Sequence, residues 1–220
     1  MDRVYRRQRH IYNFTRRYYL IGRDDLVRRL TLRPGDRAVE IGCGTARNLI
    51  TMARRYPGAQ LFGIDASQEM LRTAEHAVAR AGLSAQIRLA HGYAEALTPG
   101  LFGLTSSFDC AIFSYSLSMI PDWRRALAAA SATGGRVHVL DFGDFTGFGR
   151  LGASLLRLWL RQFHVAPRTD LLHALEQAPA PPETQLRIYA GRYAFCWSGK
   201  RVPDSLLADV AVPPQAAEIS

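Results

Sequence analysis

Glu40, Gly42, Gly44 and Asp65 are the residues whose types and spacing could do chemistry. In Glu40-Ile-Gly42-Cys43-Gly44-Thr45-Ala-Arg47 the two glycines fall where an apolar run gives way to an amphipathic stretch. Glycines there let the backbone approach a ligand closely, and a helix N-terminus offers unpaired N–H donors. A dinucleotide fingerprint, G-x-G-x-x-G, needs a third glycine where this chain has Arg47, which argues against a pyrophosphate. Glu40 would repel a pyrophosphate but suits a ligand carrying an ammonium group. Asp65 ends Phe62-Gly-Ile-Asp65, where it can accept hydrogen bonds from both hydroxyls of a ribose. A nucleoside with a cationic amino-acid tail fits both acids, and S-adenosylmethionine is that molecule. Two blander readings stay open: a tight strand–helix turn with no ligand, and an Asp65 that only initiates a helix.

Elements with helix-length spacing must position these residues. The pattern predicts strands over 36–41, 61–64, 86–90, 108–113 and 135–140, separated by amphipathic stretches. Pro57-Gly58 stops the first helix, Ser67 caps the second, and Gly82 ends it. A further helix is expected near 123–132, and another over 151–163 with Leu155, Leu156, Leu158 and Trp159. That last helix reads first as a cover for the sheet. Its arginines, Arg150, Arg157 and Arg161, admit a second reading as part of a basic surface. Strands at 185–190 and 192–197 are expected to pair antiparallel. The sum is a doubly wound, Rossmann-like α/β fold with a seven-stranded, mostly parallel sheet, helices on both faces and an N-terminal basic helix. The expected organisation is a basic amphipathic cap over 1–30, the main domain over 31–198 and a flexible tail over 199–220.

The chain has 220 residues and a formal net charge of +9. Of its 28 Lys and Arg, 27 are Arg and the single Lys is Lys200. Residues 1–37 hold eleven Arg against four Asp, a net +7, so the rest of the chain carries only +2. At 48% hydrophobic residues the chain can bury a core and is not a disordered polycation. It contains no apolar run of about 18 residues and no secretory-signal pattern at its start. Cys43, Cys110 and Cys196 form no CxxC and no disulfide framework, which favours a reducing cytoplasm and suggests no metal. A basic arm leaves nucleic acid, an anionic membrane and an acidic small molecule as partner classes.

Val39-Glu-Ile-Gly-Cys-Gly-Thr45, Gly63-Ile-Asp-Ala-Ser67, Phe108-Asp-Cys-Ala and Val139-Leu-Asp141 resemble the class I S-adenosylmethionine-dependent methyltransferases over about residues 20–197. Four segments outside that core resemble the bacterial N-methyltransferases of betaine-lipid synthesis. They are Tyr12 to Asp24, Ser114 to Trp123, Asp141-Phe-Gly-Asp144 and Phe163 to Arg168. That resemblance implies three methyl transfers onto the amine of diacylglyceryl-homoserine. It implies that Glu40 binds near the methionine amine, that the Gly42, Cys43, Gly44 and Thr45 backbone lines the cofactor, and that Asp65 holds the ribose. Ala66 and Met70 would lie beside the adenosine, with Ser114 offering its carbonyl to the methionine moiety. Tyr19, Arg23, Asn48, Gly92 and Ala94 complete the expected cofactor set. Where the family usually places an Asp after Gly92, this chain has Tyr93, so stacking by Tyr93 or a contact from Glu95 would replace the usual adenine contact.

Methyl transfer to nitrogen needs a neutral amine held in line, and the product is a fixed cation that favours aromatic faces. Tyr12, Tyr18, Tyr19 and Tyr115 are the aromatic candidates, with Tyr19 and Tyr115 foremost. His164 and Asp141 are candidate proton acceptors, and Arg168 or Arg23 could pair with the homoserine carboxylate. Each has a structural alternative: core anchors for Tyr18 and Tyr19, a packing histidine, a turn-holding aspartate. Residues 2–20 alternate Val4, Ile11, Phe14 and tyrosines with six arginines, the design of an interfacial helix facing anionic headgroups, or else of a solvated cap closing the cofactor site. The expected setting is the cytoplasm, attached peripherally to the inner face of the membrane. The expected partners are a lipid substrate and the enzyme that makes the homoserine lipid. Ser114-Tyr-Ser-Leu-Ser lacks the base-handling sequence of adenine amino-methylating enzymes, so nucleic acid is not expected, although an RNA target stays the remoter alternative alongside other lipid or small-molecule amines.

Overall fold

A computed structural model describes residues 20–133, 135–163, 165–178, 182–200 and 202–207. Its centre is a seven-stranded sheet in the order β3-β2-β1-β4-β5-β7-β6. The strands are β1 (Arg37–Ile41), β2 (Gln60–Asp65), β3 (Ile87–His91), β4 (Cys110–Ser114), β5 (Arg136–Phe142), β6 (Gln185–Tyr189) and β7 (Ala194–Gly199). The first five pair in parallel, and β7 runs antiparallel to both β5 and β6. The mostly parallel sheet and the antiparallel final pair both follow the sequence pattern. The strand order reverses between β1 and β4, where open α/β sheets form a crevice beyond the strand C-termini.

The six helices described are α1 (Arg23–Arg29), α2 (Arg47–Arg55), α3 (Gln68–Arg80), α4 (Trp123–Ala132), α5 (Gly149–Arg161) and α6 (Thr169–Gln177). Ser67 caps α3, its Oγ accepting from the Met70 N–H at 3.3 Å, and Gly82 at φ +69° ends the turn that follows. Asp122 caps α4 in the same way. Strand side chains alternate between two cores. Ala38, Ile112, Leu140, Phe142 and Cys196 face a layer of α1, α2, α3 and α5. Val39, Ile41, Phe113, Val139 and Trp197 face α4 and α6. Glu40 lies between Val39 and Ile41, so it points with Ala38 to the first layer.

One expectation needs correction. The chain after β7 does not leave the domain at 199: Val202 and Leu206 are buried with Leu171 and Trp197, so the packed unit runs to at least Leu206. The expected cover helix, α5, does lie on the sheet, with Ala153 and Leu160 buried and Leu156 and Trp159 packed against the core, while Leu151, Leu155 and Leu158 turn outward. α6 was not anticipated, although Leu171, Leu172 and Leu175 form its buried stripe. Residues 1–19, which hold most of the expected cap with Tyr12, Tyr18 and Tyr19, lie outside the described residues, as do His164 and 208–220. Among the described residues, no helix is long and apolar enough to cross a membrane.

Candidate functional site

The ends of β1, β2 and β4 meet at the crevice. Gly42 adopts φ +72°, and a Cβ there would lie 2.6 Å from Ser116 Cβ, so only glycine lets the loop pass under the β4 turn. Ser116 fixes that approach from its side, its Oγ donating to Ile41 O at 2.7 Å. Ala46, at φ +59°, completes the left-handed turn into α2. The Cys43 side chain is buried, and burial pushes its thiol pKa well up, so it packs rather than reacts. Sequence reasoning gave Ser116 no role, because its partner lies 75 residues away.

Glu40 is buried at the end of β1. Its Oε1 accepts from Asn48 Nδ2 at 2.6 Å, while its Oε2 is buried without a hydrogen-bond partner. Burial raises its pKa to about 7, against the downward pull of the Asn48 bond and of the Arg23 charge. A buried carboxylate oxygen left open is costly unless something charged meets it. Asp65 is better supported: Oδ2 accepts from Gly44 N–H at 2.7 Å and Oδ1 from Ser67 N–H at 2.9 Å. It therefore ties the glycine loop to the start of α3 while staying half-exposed. Further along this edge, Ala66 O meets His91 Nε2 at 3.1 Å, Met70 and Ala94 are half-buried, and Tyr93 follows Gly92 with 62% of its surface exposed. Thr45 is half-buried on the loop, and Ser114 is buried at the end of β4, with its hydroxyl unpartnered.

Of the expected catalytic and substrate residues, Tyr115, Asp141 and Arg168 fall within the described residues. Tyr115 is buried at φ +57°, a conformation a bulky residue holds only when its surroundings fix it. Its N–H donates to Leu140 O, its hydroxyl donates to Ile21 O at 2.6 Å, and its ring meets Phe142 edge-on at 4.7 Å. Arg23 stands 5.8 Å from the ring centroid, so Tyr115 props the chain entering α1 rather than lining an open cage. Asp141 is fully buried, with Oδ2 accepting from Ser118 N–H at 3.0 Å and Oδ1 from Phe142 N–H at 2.8 Å. A carboxylate engaged twice by backbone amides and sealed from solvent is a turn-holding group, and the proton-acceptor role expected of it is withdrawn. Arg168 donates from Nε to Leu117 O at 3.1 Å and from Nη2 to Ile120 O at 2.6 Å. Its fork clamps the turn after β4 instead of standing ready for a substrate carboxylate.

An anion would be repelled by this edge, whereas a ligand with an ammonium and a ribose finds Glu40 Oε2 and the Asp65 carboxylate. The site thus fits S-adenosylmethionine on its donor and acceptor chemistry. Among the described residues, no group of three His, Cys, Asp or Glu could hold a metal ion.

Comparison with known proteins agrees. Residues 38–133, which run from β1 through α4, match the family model described as a methyltransferase domain. The demethylmenaquinone methyltransferase of Geobacillus kaustophilus is 31% identical over 150 residues, covering 66% of this chain and 61% of that protein. The chain thus spans about three fifths of the length of the curated relatives it matches first. The S-adenosylmethionine-dependent methyltransferase SibL, in its apo form, superposes with a TM-score of 0.63 at 22% identity, covering 87% of this chain and 57% of that one. Geranyl diphosphate methyltransferase in complex with S-adenosylmethionine superposes at 0.58 with 14% identity, covering 80% and 82%. Sheet order and the matched residues 38–133 liken this chain to the methyltransferases in fold.

Proposed function

We propose that the chain methylates a lipid amine, converting diacylglyceryl-homoserine to its trimethylated betaine form. The observation that carries the cofactor half of this reading is the open, buried Oε2 of Glu40 beside the glycine loop. The acceptor half rests on the likeness of the four segments outside the core to the betaine-lipid enzymes. S-adenosylmethionine, when bound, supplies an electrophilic methyl group. Glu40 and Asn48 would orient its amine end, with Arg23 balancing the Glu40 charge. The Gly42–Thr45 backbone and Ser114 would line its tail, and Asp65 would take the ribose. Ala66, Met70, Gly92, Tyr93 and Ala94 would flank the adenine, with the exposed Tyr93 ring free to stack. Each transfer forms an N–C bond as the C–S bond breaks, and the acceptor ammonium must first lose a proton. With Asp141 sealed, His164 and Tyr19 remain the proposed proton acceptor and cation-facing ring, with Tyr12 and Tyr18 beside the acceptor. The Arg-rich residues 2–20 would hold the enzyme to the inner face of an anionic membrane, within reach of the enzyme that makes the homoserine lipid.

A second acceptor has an observation of its own: the relatives that are about 30% identical act, by name, on demethylmenaquinone. The test is to express the chain in a bacterium that makes diacylglyceryl-homoserine but cannot methylate it, and to read the lipids by mass spectrometry. Accumulation of mono-, di- and trimethylated forms is expected. Folded, cofactor-binding protein that leaves the homoserine lipid untouched would overturn the acceptor assignment. Methylation of demethylmenaquinone by that same protein would replace it with the second reading.

A further inference from the structure

The outer face of α5 departs from the rest of the surface. Leu151, Leu155 and Leu158 recur at helical spacing and are 77%, 59% and 59% exposed, and Phe148 continues the row at 45%. Exposed leucines are ordinary one at a time, but a row on one helix marks a surface that something covers. The opposite edge of α5 is anchored: Ala153 and Leu160 enter the core that holds Leu20, Tyr115 and Phe142. Arg157 Nη2 donates to Asp144 O at 2.7 Å, fixing the helix against the loop after β5. The row is therefore presented by a helix anchored on its opposite side.

Charge selects the occupant. Arg150 and Arg161 are exposed on the same helix, and no acidic residue occurs between Asp144 and Asp170. A helix with an apolar face, basic flanks and no acid matches the requirements of an anionic bilayer surface, whose acyl region takes leucine and phenylalanine while its headgroups take guanidinium. A second copy of this chain would set arginine flanks against arginine flanks, and a nucleic acid would have no use for the leucines. We propose that α5 lies in the plane of an anionic membrane, with Phe148, Leu151, Leu155 and Leu158 entering the headgroup–acyl boundary. This docking goes beyond the acceptor assignment and stands on α5 alone.

The test is co-sedimentation of the full chain with vesicles of phosphatidylglycerol and phosphatidylcholine, and with phosphatidylcholine alone. Strong binding to the first and weak binding to the second is expected, falling with added salt. Leu151→Gln, Leu155→Gln and Leu158→Gln together should weaken binding at least tenfold, and Arg150→Gln with Arg161→Gln several-fold. S-adenosylmethionine affinity should stay within twofold in both, which shows that the fold is intact. Unchanged vesicle binding in the leucine variant would overturn the proposal, as would a wild-type chain that ignores anionic vesicles. A wild-type dimer that the leucine variant converts to monomer would assign the face to a second copy instead. Methylation of diacylglyceryl-homoserine in detergent micelles separates the two ideas. If only the docking is wrong, wild type and variant both still methylate the homoserine lipid; if only the acceptor is wrong, neither does, while binding to anionic vesicles still depends on the leucines.

Discussion

The C-terminal ends of β1 and β5 each carry a buried carboxylate, and they are connected in opposite ways. Glu40 gives one oxygen to Asn48 and leaves the other open. Asp141 gives both oxygens to backbone amides, one of them 23 residues away at Ser118. Their neighbourhoods differ in the same sense. Around Glu40, Asp65 is half-exposed and the buried Ser114 hydroxyl is unpartnered. Around β5 the charges are consumed internally. Asp144, buried, accepts from Arg192 Nε at 2.9 Å and from Thr146 N–H at 3.0 Å, and Arg192 reaches on to Glu176 at 2.7 Å. Burial pushes the Asp144 carboxyl up, but the bonds from Arg192 and Thr146 outweigh it and hold its pKa well below the usual range. Two carboxylates at strand ends thus separate into one with an open oxygen and one fully engaged, according to what their oxygens already accept.

Variants can break this contrast. Asp141→Ala should be the most damaging, because it orphans the Ser118 and Phe142 amides and opens a cavity. A loss of about 3–5 kcal/mol is expected in urea unfolding. Glu40→Gln should move stability the other way. Glu40 has a folded pKa of about 7, above its ordinary 4.5. A raised carboxyl pKa means that the folded state holds the proton longer. Stability is therefore greatest below about pH 4.5, falls as pH rises through the interval to about 7, and is level above it. The full shift corresponds to roughly 3 kcal/mol. Glu40→Gln should remove that slope and unfold at higher urea than wild type at pH 8, while binding the cofactor more weakly. Arg192→Ala leaves Asp144 buried without its main partner and should cost about 2 kcal/mol, with cofactor affinity within twofold. Tyr115→Phe loses only the bond to Ile21 O and should cost about 1 kcal/mol by thermal melting.

The β1–α3 half of the fold was legible because its signals are local. Glu40, the glycines, Asp65 and the Ser67 cap fall within 28 residues, and each is dictated by a strand end or a helix start. The other half is held by distant pairs. Asp144 meets Arg192 across 48 residues, Arg168 meets Leu117 across 51, and Tyr189 donates to Asp25 across 164. No spacing rule exposes such partners. An aspartate ending a strand also reads the same whether its oxygens are open or engaged, which is why Asp141 looked catalytic. α5 was legible as a cover for the sheet, but which of its leucines face out was not. Leucines at 151, 155, 156, 158 and 160 surround the helix, so the pattern gives no inward face, and only packing shows Leu160 inside and Leu158 outside. α6 went unseen because a short helix between Pro167 and the Pro-rich stretch near 179–182 resembles a loop by composition.

The central claim is that Glu40 is the group held open for the cationic end of S-adenosylmethionine. An arriving ammonium would favour the charged carboxylate, so binding near pH 7 should expel a proton from Glu40. Titration calorimetry of S-adenosylmethionine at pH 7, in buffers of different ionisation enthalpy, counts protons released by wild type and by Glu40→Gln. The account predicts that wild type releases about half a proton more per cofactor than the variant, since a group with a pKa of about 7 is half protonated there. Equal proton counts and equal affinities in the two proteins would contradict it.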